Sequence, residues 1–176
     1  AIHWRQATLI DLMDVRITTA NGARSRHLSA STVALGYPSV VTLRARHLAR
    51  LGRFSYVAAA TVTRPSRFSA HIQYGDAHAK DVQLTGFIAN NTRHIASFLA
   101  FRKASFCDGQ FDTMEMSAGT LSQTLHNASA ISGAGTYEPC AFTRTSSARL
   151  QLESPQDMVL DGENFPDVVQ INVGVL

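Results

Sequence analysis

Apolar and polar residues alternate over most of this chain, and the places where the alternation stops divide it into elements. Residues 7–17 are rich in β-branched and apolar side chains and run into Ala20-Asn21-Gly22, where Asn-Gly favours the tight turn of a hairpin. Residues 26–35, with Leu28 and Val33 apolar among Ser and Thr, read as the returning strand. Gly36-Tyr37-Pro38-Ser39 changes the period. Ser39 is placed to cap a helix whose apolar stripe is Val40, Val41, Ala45, Leu48 and Leu51, and Gly52 breaks that helix. Residues 54–62 predict a second, mostly apolar helix, ended by Arg64-Pro65.

From Arg67 onward the period returns to two. Residues 68–74 and 82–89 predict a second hairpin around Gly75-Asp76, and Phe111, Thr113 and Glu115 alternate with Asp112, Met114 and Met116 as a further strand. Residues 121–130 predict a short helix with His126 at its end, followed by a flexible Ile131-Ser132-Gly133-Ala134-Gly135 connection. Three short strands, 148–152, 158–160 and 168–175, complete the pattern. Many short strands with few helices predict a β-rich α+β fold, a two-sheet antiparallel β-sandwich with a few inserted helices. No internal repeat or low-complexity linker divides the chain, so residues 1–176 are expected to form a single domain.

Composition excludes several classes. With 45% hydrophobic and 16% charged residues the chain can bury a core and is not a disordered tail. Cys107 and Cys140 stand far apart without a Cys-x-x-Cys or a Cys/His cluster, which argues against a disulfide scaffold or a zinc module and for a reducing, cytoplasmic compartment. No apolar run approaches the roughly 20 residues that span a bilayer. The first residues lack a Met and open directly on a strand-like stretch, which suits an excised domain. The net charge of +3 is unevenly spread: ten of the sixteen Arg and Lys lie at or before Arg67, against Asp11 and Asp14 alone. Glu153, Asp157, Asp161, Glu163 and Asp167 follow one another with no Lys or Arg between them. On a helical wheel Arg46, His47, Arg50 and Arg53 share the face opposite Val41, Ala45 and Leu48, either as a solvated face or as a surface for phosphates or an anionic membrane.

Local motifs leave the chemistry open. The seven histidines show no metal-ligand spacing, and neither a Gly-x-Ser-x-Gly elbow nor a Gly-rich nucleotide loop occurs. Two Asp-Gly sites stand out. Asp161-Gly162-Glu163 puts two carboxylates on alternate residues at the tip of a hairpin, with a Gly between them that lets a ligand approach the backbone, although Asp-Gly is also a common hairpin-turn dipeptide. In Ser105-Phe106-Cys107-Asp108-Gly109-Gln110, Asp108 with turn carbonyls could hold a hard cation or could simply cap its own turn.

Taken in order, these sites resemble a known pattern. Leu84-Thr85-Gly86-Phe87-Ile88-Ala89-Asn90, then Ala104 to Gly109 as Ala-x-x-x-Asp-Gly, then Leu160-Asp161-Gly162-Glu163 and a final apolar strand look like the C-terminal half of the diacylglycerol kinase family, which includes sphingosine and ceramide kinases. Val33-Ala34-Leu35-Gly36 and Leu51-Gly52-Arg53-Phe54-Ser55-Tyr56 extend the resemblance over most of residues 28–176. It implies the C-terminal, lipid-substrate-binding domain of a kinase that transfers the γ-phosphate of ATP to a lipid hydroxyl. Glu163 would be the catalytic proton acceptor, Asp161 and Gly162 would lie beside the nucleotide, and Asp108 with backbone oxygens of Ser105 and Gln110 would hold a structural Mg²⁺. The implied cofactors are ATP and Mg²⁺. The implied partners are the lipid substrate, a membrane surface contacted peripherally and an N-terminal nucleotide-binding domain absent from this chain. A homodimer is left open and no nucleic acid is expected.

The family's Gly-Gly-Asp-Gly-Thr nucleotide loop is missing here, Asn90-Asn91-Thr92-Arg93-His94 replaces its Asn-Gly and Gly-rich stretch, and Arg102 replaces its Pro. By that reading the chain alone is not an enzyme. A noncatalytic β-sandwich module that binds an amphiphile or a protein partner is the alternative.

Overall fold

The computed structural model describes residues 9–95, 98–99, 101, 104–117 and 140–176. The helix expected at 121–130 and the connection after it lie outside the described residues. The elements run β1 (Met13–Thr19), β2 (Arg24–Ser29), β3 (Thr32–Gly36), α1 (Tyr37–His47), a 3-10 helix (Ala49–Phe54), α2 (Ser55–Val62), β4 (Phe68–Tyr74) and β5 (Lys80–Asn90). They continue with the short pair β6 (His94–Ile95) and β7 (Phe98–Leu99), then β8 (Phe111–Ser117), β9 (Cys140–Thr145), β10 (Ser147–Leu160) and β11 (Glu163–Val175).

In place of two separate packed sheets, one nine-stranded antiparallel sheet runs β2-β1-β11-β10-β3-β5-β8-β9, and β4 pairs with both β10 and β5. The sheet forms a closed barrel in which β4 and β3 share one row between β10 and β5. The reason lies in strand length. β10 has 14 residues and β5 has 11, enough for each to carry two shorter partners on one edge. β3 takes one half, with Leu35 opposite Met158 and Gly36 opposite Gly86. β4 takes the other half, with Ala70 opposite Leu152 and Phe68 opposite Leu84. β3 and β4 therefore lie end to end, and the helical segment between them is an insertion into a single row. Gly36 marks the exit with φ +70, and a Cβ there would meet Phe68 Cε1 at 2.6 Å and the Thr85 carbonyl at 2.8 Å.

Alternate residues of every barrel strand turn inward. Met13, Val15, Val33, Leu35, Ile72, Phe87, Leu150, Met158 and Ile171 form a dry core that belongs to the sheet itself. The outer face of β3, β5 and β8 is covered by the helices, with Tyr37, Val41, Ala45 and Ala59 packed on Ala34, Ile88, Met114 and Met116. Ser39 does not cap α1. The helix begins at Tyr37, and the Ser39 hydroxyl lies 3.0 Å from the Gly36 carbonyl and 2.7 Å from that of Asp157, tying α1 to β10. Inside the barrel, Glu115 accepts from Lys80 Nζ at 2.8 Å and from the Tyr74 hydroxyl at 2.8 Å, while burial holds the Tyr74 phenol above its ordinary pKa. Among the described residues no helix is long and apolar enough to cross a membrane.

Candidate active site

Asp161 and Gly162 are the two residues of the β10–β11 turn, with φ of +46 and +95, and Leu160 faces Glu163 across it. Two consecutive positive φ angles define the hairpin turn that Asp-Gly prefers. The Asp161 carboxylate then reaches across to another corner. Its Oδ1 accepts from the Ser29 hydroxyl at 3.0 Å and from the N–H groups of Ser31 and Thr32 at 3.2 and 2.8 Å, and its Oδ2 accepts from the Ala30 N–H at 2.9 Å. The Asp161 N–H donates to the Thr32 carbonyl at 2.9 Å. These bonds explain why the expected strand 26–35 is cut in two. Residues 30 and 31 give their N–H groups to a carboxylate instead of a neighbouring strand, and β3 leaves β1 for β10 and β5.

Glu163 is exposed at the start of β11, and its carboxylate has no hydrogen-bond or ion-pair partner among the described residues. Beside it, a Cβ built on Gly162 would lie 3.4 Å from Arg46 Nη2, so the guanidinium from α1 rests against the turn. One fixed turn therefore presents an unengaged carboxylate and an adjacent cation.

The second Asp-Gly loop is built differently. Asp108 Oδ1 accepts the Gln110 N–H at 3.2 Å, and Oδ2 is ion-paired with Arg144 Nη2. The N–H groups of Asp108 and Gly109 both donate to Asp11 Oδ2 at 2.7 Å, and the Asp11 N–H donates to the Phe106 carbonyl at 2.7 Å. Ser105 Oγ lies 3.6 Å from Cys107 Sγ. A hard cation requires several oxygen ligands carrying net negative charge. Here the Asp108 charge is balanced by a guanidinium and the loop amides face a second carboxylate. The residues present do not fit a resident Mg²⁺. Among the described residues no group of three or more His, Cys, Asp or Glu converges on a common point.

The two loops nevertheless share one end of the barrel. The Asn91 N–H donates to the Ser31 carbonyl at 2.8 Å and its Nδ2 to the Asp11 carbonyl at 2.7 Å, which links the Asp161 corner to the Asp108 loop. Next to it Thr32 Oγ1 donates to Asn90 Oδ1. Asn91 is buried, and its Oδ1 has no hydrogen-bond partner. Sequence reasoning missed Asp11, Asn91 and Arg144 as members of this end. Asp11 showed only as a rare acid in a basic half, and Asn90-Asn91 only as a departure from the family pattern.

The same fold is found in solved structures described as diacylglycerol kinases. The chain is similar to a proposed diacylglycerol kinase from Bacillus anthracis str. Sterne, with a TM-score of 0.66 and 17% identity over 95% of this chain and 53% of that one. A further diacylglycerol kinase structure from the same organism gives a TM-score of 0.64 and 15% identity, again over 95% of this chain and 53% of the other. The chain thus spans about half the length of these structures. No family model and no curated protein matches the sequence.

Proposed function

We propose that this chain is the lipid-substrate domain of a kinase that transfers the γ-phosphate of ATP to the hydroxyl of diacylglycerol, sphingosine or a similar lipid. The observation that carries the reading is the Glu163 carboxylate, exposed and unengaged on a rigid turn, beside the Arg46 guanidinium. In the proposed step the lipid hydroxyl oxygen attacks the γ-phosphorus and its proton passes to Glu163. The bond from that phosphorus to the β,γ-bridging oxygen breaks, leaving lipid phosphate and ADP. Arg46 supplies positive charge where the phosphates meet the turn, Gly162 lets them come close to the backbone, and Asp161 fixes the position of both neighbours. The nucleotide itself requires a second domain.

The helical insertion supports a lipid partner. Leu51, Phe54, Val57 and Val62 are exposed on the 3-10 helix and α2, and Arg46, His47 and Arg50 are exposed nearby in sequence. Apolar side chains next to basic ones suit acyl chains and an anionic membrane surface. One observation favours the alternative, a noncatalytic module binding an amphiphile: both aspartates of the Asp-Gly sites are taken up by protein groups.

The test is transfer of radiolabelled γ-phosphate to diacylglycerol, sphingosine and ceramide in mixed micelles, using the protein that carries this chain together with its nucleotide-binding domain. The expected result is label in one of these lipids and a loss of roughly 100-fold or more in Glu163→Gln. Binding of the lipids without transfer to any of them would support the module instead.

A further inference from the structure

We infer that the outer face of β1, β2 and β11 carries a second anion site, separate from the Asp-Gly-Glu turn, that receives a phosphate group between Arg16, Arg24 and Arg26. In β1 the residues Val15 and Ile17 point into the barrel core, so Arg16 points outward. Arg16 stands directly opposite Arg26 of β2, and Arg24 stands opposite Thr18. On the other side Arg16 is opposite Asn172 and Thr18 opposite Gln170 of β11. The register thus gathers three guanidiniums and two side-chain amides around one open cleft of about 470 Å³.

Like charges facing each other across a strand pair are destabilising. Here the Asp14 carboxylate relieves one of the three. Its Oδ1 accepts Arg26 Nε at 2.6 Å and its Oδ2 accepts Arg16 Nη2 at 3.1 Å, and its side chain is only 9% exposed. The pairing with Arg26 also holds the Asp14 pKa below the ordinary carboxylate value. Two guanidiniums are oriented by these bonds yet remain 65% and 59% exposed, so N–H groups stay available to a ligand. Arg24 makes no ion pair among the described residues. Asn172 Oδ1 accepts Arg149 Nε at 2.8 Å, which leaves the Asn172 amide N–H groups as donors. The cleft is donor-rich, with a net charge of two positive units from three Arg and one Asp. Planar forks of N–H groups match the paired oxygens of phosphate, and a phosphate dianion answers the net charge of two.

A phosphate group can come from a free ligand or from a lipid headgroup, and one experiment separates them. Inorganic pyrophosphate is titrated into the protein by calorimetry, and in parallel the protein is sedimented with phosphatidylcholine vesicles with and without phosphatidic acid. Arg26 is left in place because its removal would strand the buried Asp14. Arg16→Gln and Arg24→Gln are exposed changes, and Arg67→Gln serves as a basic-to-neutral control outside the cleft. The expected result is that each cleft variant weakens binding roughly tenfold while the control leaves it unchanged. Pyrophosphate binding identifies a free phosphate ligand, and binding only to the phosphatidic acid vesicles identifies a headgroup. Failure of both probes to bind, or binding that survives in the double cleft variant, overturns the inference. Lipid phosphorylation at Glu163 is not needed for either result.

Discussion

Asp161 and Glu163 are two residues apart in one turn, and their surroundings divide their roles. Asp161 accepts hydrogen bonds from Ser29, Ala30, Ser31 and Thr32, whereas Glu163 faces solvent. An Asn at 161 tolerates the positive φ and keeps one acceptor oxygen, but it loses the charge and replaces the other oxygen with a donor. Hydrogen bonds to a charged group contribute a net of about 1.5–3 kcal/mol each, so Asp161→Asn should cost about 3 kcal/mol of folding stability, read by urea denaturation. A variant within experimental error of wild type would mean that the corner does not depend on the charge. The sequence marked Asp161 and Asp108 as sites because both precede Gly. It could not show what each carboxylate touches, since Asp161 reaches donors some 130 positions away and Arg144 meets Asp108 only through the pairing of β8 with β9.

At the level of elements, alternation in the sequence located β4 and β8, and a mostly apolar run ended by Arg64-Pro65 located α2. Partner choice was less legible. The two pieces 148–152 and 158–160 are one strand, irregular between Gln151 and Gln156 where Pro155 offers no N–H to a neighbour. The supposed return strand 26–35 is two strands because of a distant carboxylate. The junction of β3 and β4 depends on Gly36, whose backbone conformation and tight surroundings both exclude a side chain. Gly36→Ala should therefore destabilise the fold by roughly 2–4 kcal/mol, seen as a lower melting temperature, through positive-φ strain and displacement of Phe68. Gly22→Ala, at a turn with open space around it, should cost less. Equal losses at the two positions would argue against the end-to-end row.

Across the whole molecule, alternation identified inward and outward faces but not whether they belong to two sheets or to one that closes. Closure depends on pairings between strands far apart in the chain, which no local pattern encodes. It also brings the two Asp-Gly loops to one end through Asn91 and Asp11, while Arg16, Arg24 and Arg26 gather on the outer face of β1 and β2. The basic first half noticed in the sequence is thereby split between an anion cleft on the sheet and a cationic rim near Glu163. We propose that this rim performs proton transfer at Glu163, on a turn held by Asp161. The most direct measurement of this is lipid-phosphorylation turnover of Glu163→Gln set beside its melting temperature, in the protein that includes the nucleotide-binding domain. Turnover should fall roughly 100-fold or more with the melting temperature unchanged. Wild-type turnover in a stably folded Glu163→Gln would contradict it.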